Sequence, residues 1–387
     1  MHQPIKQHLI DPEICIRCHT CEEACQIGAI THNDDNVVVD ASKCNFCMDC
    51  IAPCPTGSID NWRVVTEAYS VDEQLEWMEL PEQEEIAAPD EGAEPDSDIA
   101  RLLAEAHEGA GGQVRAPASA ATPSVQLFTR DAPAMARVQG NYRLTAEGTD
   151  NDVRHIILDM GATAFPVLEG QSIGITPPDE TVPRLYSISS PRDGERPGTN
   201  NLSLTVKREP GGKASNYLCD LEKGAEVAVT GPFGSTFLMP EDRAAKLLMI
   251  CTGTGSAPFR AFTMRHQRSQ KNNPGKLMLF FGARSTDQLP YFGPLQKIPA
   301  EVMQSHLVFS RETGAAKEYV QDRMRAEAGP IAALLSEEVT HIFICGLKAM
   351  EAGVDAAFDQ IAVEHGLDWA ALKDRMRDGG RYHVETY

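Results

Sequence analysis

At 387 residues and a formal net charge of -21, the chain has room for two or three domains that each bury a core. It lacks the positive balance that bulk binding to nucleic acid or to an anionic membrane surface needs. MHQPIKQHLI carries no apolar signal-peptide core, and no apolar run approaches the roughly eighteen residues of a membrane span, so a cytoplasmic location without membrane or nucleic-acid partners is expected. In that compartment disulfides are rare, and clustered cysteines act as metal ligands or redox centres.

Eight of the eleven cysteines fall in the first 54 residues. Cys15, Cys18, Cys21 and Cys25 follow C-x2-C-x2-C-x3-C, and Cys44, Cys47, Cys50 and Cys54 repeat it, the second run ending Cys54-Pro55. Three thiolates at two-residue gaps wrap one 4Fe–4S cube, and the fourth cysteine of each run reaches across to the other cube. One cluster therefore takes Cys15, Cys18, Cys21 and Cys54, and the other takes Cys44, Cys47, Cys50 and Cys25. Structural zinc sites use separated C-x2-C pairs, so the unbroken runs argue against zinc. The repeat resembles the two-cluster bacterial ferredoxins, with Gln26 where that family usually carries proline. A ferredoxin domain of α+β type is expected over 1–70.

From Val71 to Asp98 the chain holds twelve acidic residues and no Lys or Arg, which reads as a solvated, charge-extended tether or as a docking strip for a basic partner. IARLLAEAHEG predicts a short helix with Ile99, Leu102, Leu103 and Ala106 on one face. AGGQVRAPASAATPSV reads as linker, and 71–134 is assigned to linker throughout.

Alternating stretches such as Val153 to Asp159 and Asn201 to Lys207, broken by Gly/Pro turns, predict a closed antiparallel β-barrel over 135–240. Within it lies RLYSISS, from Arg184 to Ser190, which resembles the flavin signature of the plant-type ferredoxin–NADP reductases. The resemblance implies FAD, with Arg184 on its diphosphate, Tyr186 packed on the ring and the Ser187 hydroxyl at the reacting nitrogen. Ser215, in SNYL, resembles the family's second diphosphate-binding turn, although Gly212-Lys213-Ala214 depart from the usual residues before it.

The last third, 241–387, alternates strand and helix and predicts an α/β domain with a parallel sheet. KLLMI is a strand, and CTGTGSAP supplies a glycine loop at the start of a helix, where backbone N–H groups can approach a diphosphate. The loop resembles the family's GTGTGIAP, with Cys251 in place of its first glycine, and implies cofactor contacts from Thr252, Gly253, Thr254, Gly255 and Pro258. Ser310-Arg311 and Lys317-x-Tyr319-x-Gln321 resemble the family's SRE and KxYxQ elements, which implies NADPH rather than NADH: Arg and Lys hold the 2'-phosphate and Tyr319 stacks on adenine. Cys345-Gly346-Leu347 and Glu385-Thr386-Tyr387 resemble its CGL and E-x-Y, which implies that Ser187, Cys345, Glu385 and Tyr387 frame hydride transfer, with Tyr387 over the flavin face.

NADPH gives up two electrons as hydride, whereas an iron–sulfur cluster accepts one at a time, so flavin between them is the expected converter. The implied path runs from NADPH through FAD and two 4Fe–4S clusters to an external acceptor. The domain order, a ferredoxin in front of a reductase, resembles the reductase components that serve a separate diiron oxygenase acting on benzoyl-CoA in aerobic aromatic degradation. Service to another redox partner, flow in reverse toward NADP, and a non-catalytic electron-carrier subunit remain as alternatives.

Overall fold

The computed structural model describes residues 5–59, 61–83, 97–111, 115–269, 277–291 and 298–387. Much of the acidic stretch, residues 84–96, lies outside them. Among the described residues no helix is long and apolar enough to cross a membrane.

The N-terminal domain is small and cysteine-centred. Strand β1 (Ile5–Leu9) pairs antiparallel with β4 (Asn61–Val65), and β2 (Ile30–His32) with β3 (Val37–Val39). Between them Ile10, Ile30, Val37, Val39 and Ile59 pack around Cys21 and Cys50, with Cys15, Cys25, Cys44 and Cys54 at the rim and Cys18 and Cys47 exposed. The sequence sets the end of this domain at residue 70, and the structure carries its packing on through Gln83. A short helix α2 (Val71–Gln74), capped by Ser70, buries Gln74, whose amide donates to the Val39 carbonyl at 3.0 Å. Asn36 donates to the Trp77 carbonyl at 2.7 Å, and Gln83 pairs with both backbone groups of Val64.

Six strands form the second domain: β5 (Ala134–Arg143), β6 (Val153–Asp159), β7 (Ser172–Ile175), β8 (Arg184–Ser187), β9 (Asn201–Lys207) and β10 (Glu226–Phe233). In β5 the residues Ala134, Ala136 and Val138 point inward and their neighbours outward, the period-two signature of a strand with one wet face. The strand order is β8-β7-β10-β5-β6-β9, antiparallel throughout, and an Ile188–Leu204 bridge brings the two edges together into a barrel. The ferredoxin-like domain meets this barrel directly: Lys6 N–H donates to the Ala162 carbonyl at 3.0 Å beside an Ile5–Thr163 bridge.

The third domain is a five-stranded parallel sheet, β13-β12-β11-β14-β15, built from β11 (Lys246–Thr252), β12 (Leu277–Ala283), β13 (Met303–Phe309), β14 (Thr340–Gly346) and β15 (Tyr382–Thr386). Its strands are apolar on both faces because both are covered. Leu248, Ile250, Ile342 and Ile344 pack against Val354 and Phe358 on one side. Leu247, Met249, Phe343 and Cys345 pack against Phe259 and Phe262 of helix α5 (Ser256–Ser269) on the other. The order reverses between β11 and β14, the switch point at which open α/β sheets bind ligands.

Barrel and sheet are locked by charge. Arg260 of α5 donates to both Glu195 carboxylate oxygens at 2.7 and 2.8 Å and to the Ser189 carbonyl at 2.8 Å, while its guanidinium sits 4.9 Å from the Tyr291 ring centre. Tyr291 Oη bonds His155 at 2.7 Å and Thr205 at 2.6 Å, both in the barrel. Arg268 adds bonds to the Gly194 and Glu195 carbonyls. Burial pushes the Glu195 carboxyl up, but hydrogen bonds from His155 and Arg260 outweigh it and hold it well below the usual carboxylate range.

A carboxylate with a depressed folded pKa contributes stability that is complete above its unfolded value of about 4.3 and is lost as pH falls below it. Arg260→Leu is therefore expected to cost about 3 kcal/mol near neutrality. Melting curves of wild type and variant should converge as pH is lowered from 7 toward 3.

Candidate functional site

The two cysteine runs fold alike. Arg17 and Phe46, at matching positions, have φ of 56° and 59°, and His19 and Met48, the next matching pair, have 59° and 70°. Non-glycine residues seldom adopt this left-handed conformation, which persists where surroundings over-determine it. Here it turns successive thiols toward one point. One small cavity is lined by Cys25 together with Cys44, Cys47 and Cys50. Cys54 lies on the other side, close enough to Cys18 and Cys21 to act on both electrostatically, and Thr20 donates to the Pro53 carbonyl at 3.3 Å. The donors thus sort into two sets of four sulfurs, each with three cysteines from one run and one from the other, the composition that a pair of 4Fe–4S cubes requires. Burial pushes Cys21 up to about 11 and Cys50 up to about 12, so these thiols release protons when a metal cluster takes them as thiolates.

On the barrel, β8 carries the residues that resemble the flavin signature along one edge strand. Arg184 is exposed at its start, Tyr186 leans on the barrel core, and Ser187 ends it opposite Ser172. Burial raises the Tyr186 phenol well above its ordinary range, so it stays neutral. Ser215 lies buried in the first turn of α4 (Lys213–Asp220), where its hydroxyl accepts from Glu209 N–H at 3.1 Å. An arginine fork and a helix start with polar first-turn groups suit a diphosphate.

The residues expected to meet the nucleotide gather at the C-terminal ends of the parallel strands. Thr252 ends β11, and Gly253, Thr254 and Gly255 form a single 3-10 turn leading into α5, with Pro258 in its first turn. Gly255 is obligatory: a Cβ there would lie 2.3 Å from the Cys345 carbonyl oxygen. Gly346, with φ of 136°, fits under Thr252, whose hydroxyl accepts from Leu347 N–H at 3.3 Å. Gly255 and Gly346 thus let the loop backbone pack closely against the end of β14, which leaves the amides of a glycine turn at the start of α5. Ser310 and Arg311 follow the end of β13, tied to the Ala283 and Arg284 carbonyls. Lys317 Nζ lies 4.8 Å over the Tyr319 ring, which is exposed just before the helix Val320–Ala326 that carries Gln321.

Cys345 and Glu385 are direct partners across β14 and β15. Cys345 is buried beside Cys251, and burial pushes its thiol up, so it is neutral. Tyr387 N–H donates to the Gly346 carbonyl at 3.0 Å, its carbonyl accepts from Lys348 N–H, and its hydroxyl shares a 2.6 Å bond with Thr254. As a whole residue Tyr387 is 61% exposed. The structure thus brings Thr252 to Gly255, Cys345, Gly346, Glu385 and Tyr387 together at the ends of β11, β14 and β15, with Arg311, Lys317 and Tyr319 after β13, two strands from β11 along the same edge of the sheet.

Two groups escaped the sequence reading. Glu195 sits in a turn read only as punctuation, and its pairing with Arg260 spans 65 positions. His107, in the segment assigned to linker, bonds Glu385 at 3.2 Å. Neither has a short-range spacing that sequence alone could expose.

A barrel with a diphosphate-ready strand and a parallel sheet with a nucleotide cradle at its switch point define an oxidoreductase that uses flavin and a pyridine nucleotide. Comparison with known proteins agrees. Residues 7–57 match the 4Fe-4S dicluster domain, 147–237 the oxidoreductase FAD-binding domain, and 249–356 the oxidoreductase NAD-binding domain. Ferredoxin–NADP reductase from Synechocystis is 37% identical over 287 residues, covering 68% of this chain and 70% of that protein. The Spirulina enzyme is 37% identical over 288 residues and is covered to 98%. The solved ferredoxin-NADP+ reductase from Plasmodium falciparum superposes with a TM-score of 0.56 at 25% identity, over 68% of this chain and 99% of that one. The chain belongs to the ferredoxin–NADP reductase family and adds to it an N-terminal 4Fe–4S ferredoxin domain.

The sulfur sets make a separable prediction. Cys25→Ser and Cys44→Ser should each remove about half of the iron, and together no more than either alone, whereas Cys25→Ser with Cys15→Ser should remove nearly all of it. Iron analysis of the purified variants checks this.

Proposed function

We propose that this enzyme takes hydride from NADPH and delivers single electrons, through its iron–sulfur domain, to a separate oxygenase component, the diiron enzyme that acts on benzoyl-CoA. The observation that carries the reading is the union in one chain of a flavin and nicotinamide crevice with eight paired-run cysteines, the latter docked on the FAD barrel through Lys6 and Ala162. A reductase that only exchanged electrons with a free ferredoxin would need no such module. The choice of oxygenase rests on the domain order.

When bound, flavin supplies the conversion of a two-electron hydride into single electrons, and the clusters supply the one-electron exit. The residues do the rest. Arg184 and the first turn of α4 hold the flavin diphosphate; Tyr186 packs its ring; the Ser187 hydroxyl hydrogen-bonds at the reacting edge. Amides of Gly253 to Gly255 hold the nucleotide diphosphate at the start of α5. Arg311 and Lys317 neutralise a 2'-phosphate while Tyr319 stacks on adenine, which favours NADPH over NADH. Cys345 and Gly346 shape the nicotinamide floor. Tyr387, held by its backbone and by the Thr254 hydroxyl, covers the crevice and yields to nicotinamide, and Glu385 handles the proton.

Ser187→Ala should slow reduction of bound flavin by NADPH roughly tenfold or more while leaving cluster absorption intact. In stopped-flow absorbance an unchanged rate would remove the hydroxyl from the hydride step. Arg311→Ala should lower kcat/KM for NADPH about tenfold and leave NADH nearly unaffected, read in steady-state assays with both nucleotides. The partner assignment is tested by NADPH consumption with purified oxygenase, benzoyl-CoA and oxygen, each present or omitted. Consumption that needs all three supports it; NADPH oxidation with artificial acceptors while the oxygenase stays idle leaves the electron path and removes the partner.

A further inference from the structure

The segment between the ferredoxin and the barrel returns to the active crevice. Helix α3 (Ser97–Ala106) and the single 3-10 turn Glu108–Ala110 pack along β15. The fit is close: a Cβ on Gly109 would overlap the Glu351 carboxylate at 2.1 Å, and one on Gly380 would lie 2.2 Å from the Ala116 carbonyl oxygen. Arg377 donates to the Gly111 carbonyl at 3.0 Å, Arg115 to the Asp378 carbonyl at 3.1 Å, and Lys348 pairs with Glu108. This is a strap fastened at several points.

Its consequence is His107. The His107 Nε2 lies 3.2 Å from Glu385 Oε1, with side-chain exposures of 15% and 10%. Glu385 is thus almost shut off from water, while His107 opens on a cavity of about 370 Å³ lined also by Leu103, Gln126, Gly234 and Thr236. The charged and titratable groups around the pair are Glu105 and Glu108 on the strap, Lys348 and Glu351 after β14, and Cys345 and His383 on the sheet. Burial pushes His383 down to about 3 and Cys345 well up, so both stay neutral. Lys348 is engaged with Glu108. His107 is the titratable side chain hydrogen-bonded to Glu385.

We propose that His107 is a positioning residue for Glu385 that also relays its proton to solvent. The inference rests on the reading of Glu385 as the acid–base group. A hydride taken from NADPH, with NADP+ formed, equals one proton and two electrons. When both electrons have gone to a one-electron acceptor, the proton remains, and Glu385, with a side chain 10% exposed, has little direct contact with water through which to release it. It bonds to Glu385, whose O–H donates to Nε2 of the ring tautomer protonated at Nδ1; as Nε2 takes it up, the proton on Nδ1 passes to water in the cavity, which leaves the ring neutral with Nε2–H donating to the Glu385 carboxylate, and proton exchange of the ring with water restores the first tautomer. A histidine between a buried carboxylate and water suits this task because it accepts at one nitrogen and releases at the other.

The test uses the full chain with flavin and clusters bound, reduced with NADPH and mixed with ferricyanide in weak buffer containing a pH-indicator dye. His107→Ala should slow proton release by roughly tenfold or more, and added imidazole should restore it. His107→Gln, which keeps a donor but cannot relay, should be slow as well. In the cofactor-free chain, amide exchange over residues 97–111 should stay protected in His107→Gln. Release at the wild-type rate in both variants, or slow release in His107→Ala that imidazole does not restore, would overturn the relay. Glu385→Gln separates the two levels: if it slows release while the His107 variants do not, the relay alone fails, and if it changes nothing, the role given to Glu385 fails with it.

Discussion

Taking a guanidinium out of water costs several kcal/mol, and the loss is offset when a carboxylate meets it in a two-pronged geometry with further acceptors in reach. Arg260 has that arrangement at the seam between barrel and parallel sheet, with Glu195 below it, the Ser189 carbonyl beside it and the Tyr291 ring against it. The helix that bears Arg260 is the one that starts at the glycine loop. The clamp therefore fixes two things together, the docking of the domains and the place of the nucleotide cradle relative to the strand that ends in Ser187. Ser189 and Ser187 belong to the same short run, so the flavin signature and the interdomain lock share one piece of backbone.

The iron–sulfur end is governed by a different constraint, the need to aim three sulfurs at one point from a loop of seven residues. The chain meets it with left-handed residues at matching positions in both runs, at about 1–2 kcal/mol each. None is glycine. Without metal that strain is borne by the packing of Ile10, Ile59 and the valines of β3, and metal–thiolate bonds over-determine it. The crossing of Cys25 and Cys54 to the opposite sets binds the two halves of the duplication into one unit, which is why neither run would be a domain alone.

Much of this was legible in the sequence wherever the chemistry is local. Cysteine spacing, the alternation of β5 and β6, the apolar strand before CTGTGSAP and the RLYS run all act within a few residues, so their pattern survives in one dimension. Contacts between distant side chains leave no such trace. Glu195 stands among turn residues and reads as one. His107 follows an amphipathic helix whose apolar face announced that something covers it, but not that the cover is the strand carrying Glu385. Gln74 and Asn36 extend the ferredoxin fold beyond residue 70 by satisfying backbone groups of β3 and the following turn, and a buried amide in an acidic stretch looks from sequence like one more solvated residue.

The proposed path is ordered, with hydride entering at the crevice between β11 and β14 and single electrons leaving through the N-terminal cysteines. The most direct measurement mixes the loaded chain with NADPH without oxygen and follows flavin absorbance and cluster paramagnetism together by rapid freeze-quench. The account predicts that flavin bleaches first and that the cluster signal rises afterward, at the expense of reduced flavin. Clusters that stay oxidised while flavin is fully reduced, or that gain electrons in protein stripped of flavin, would contradict it.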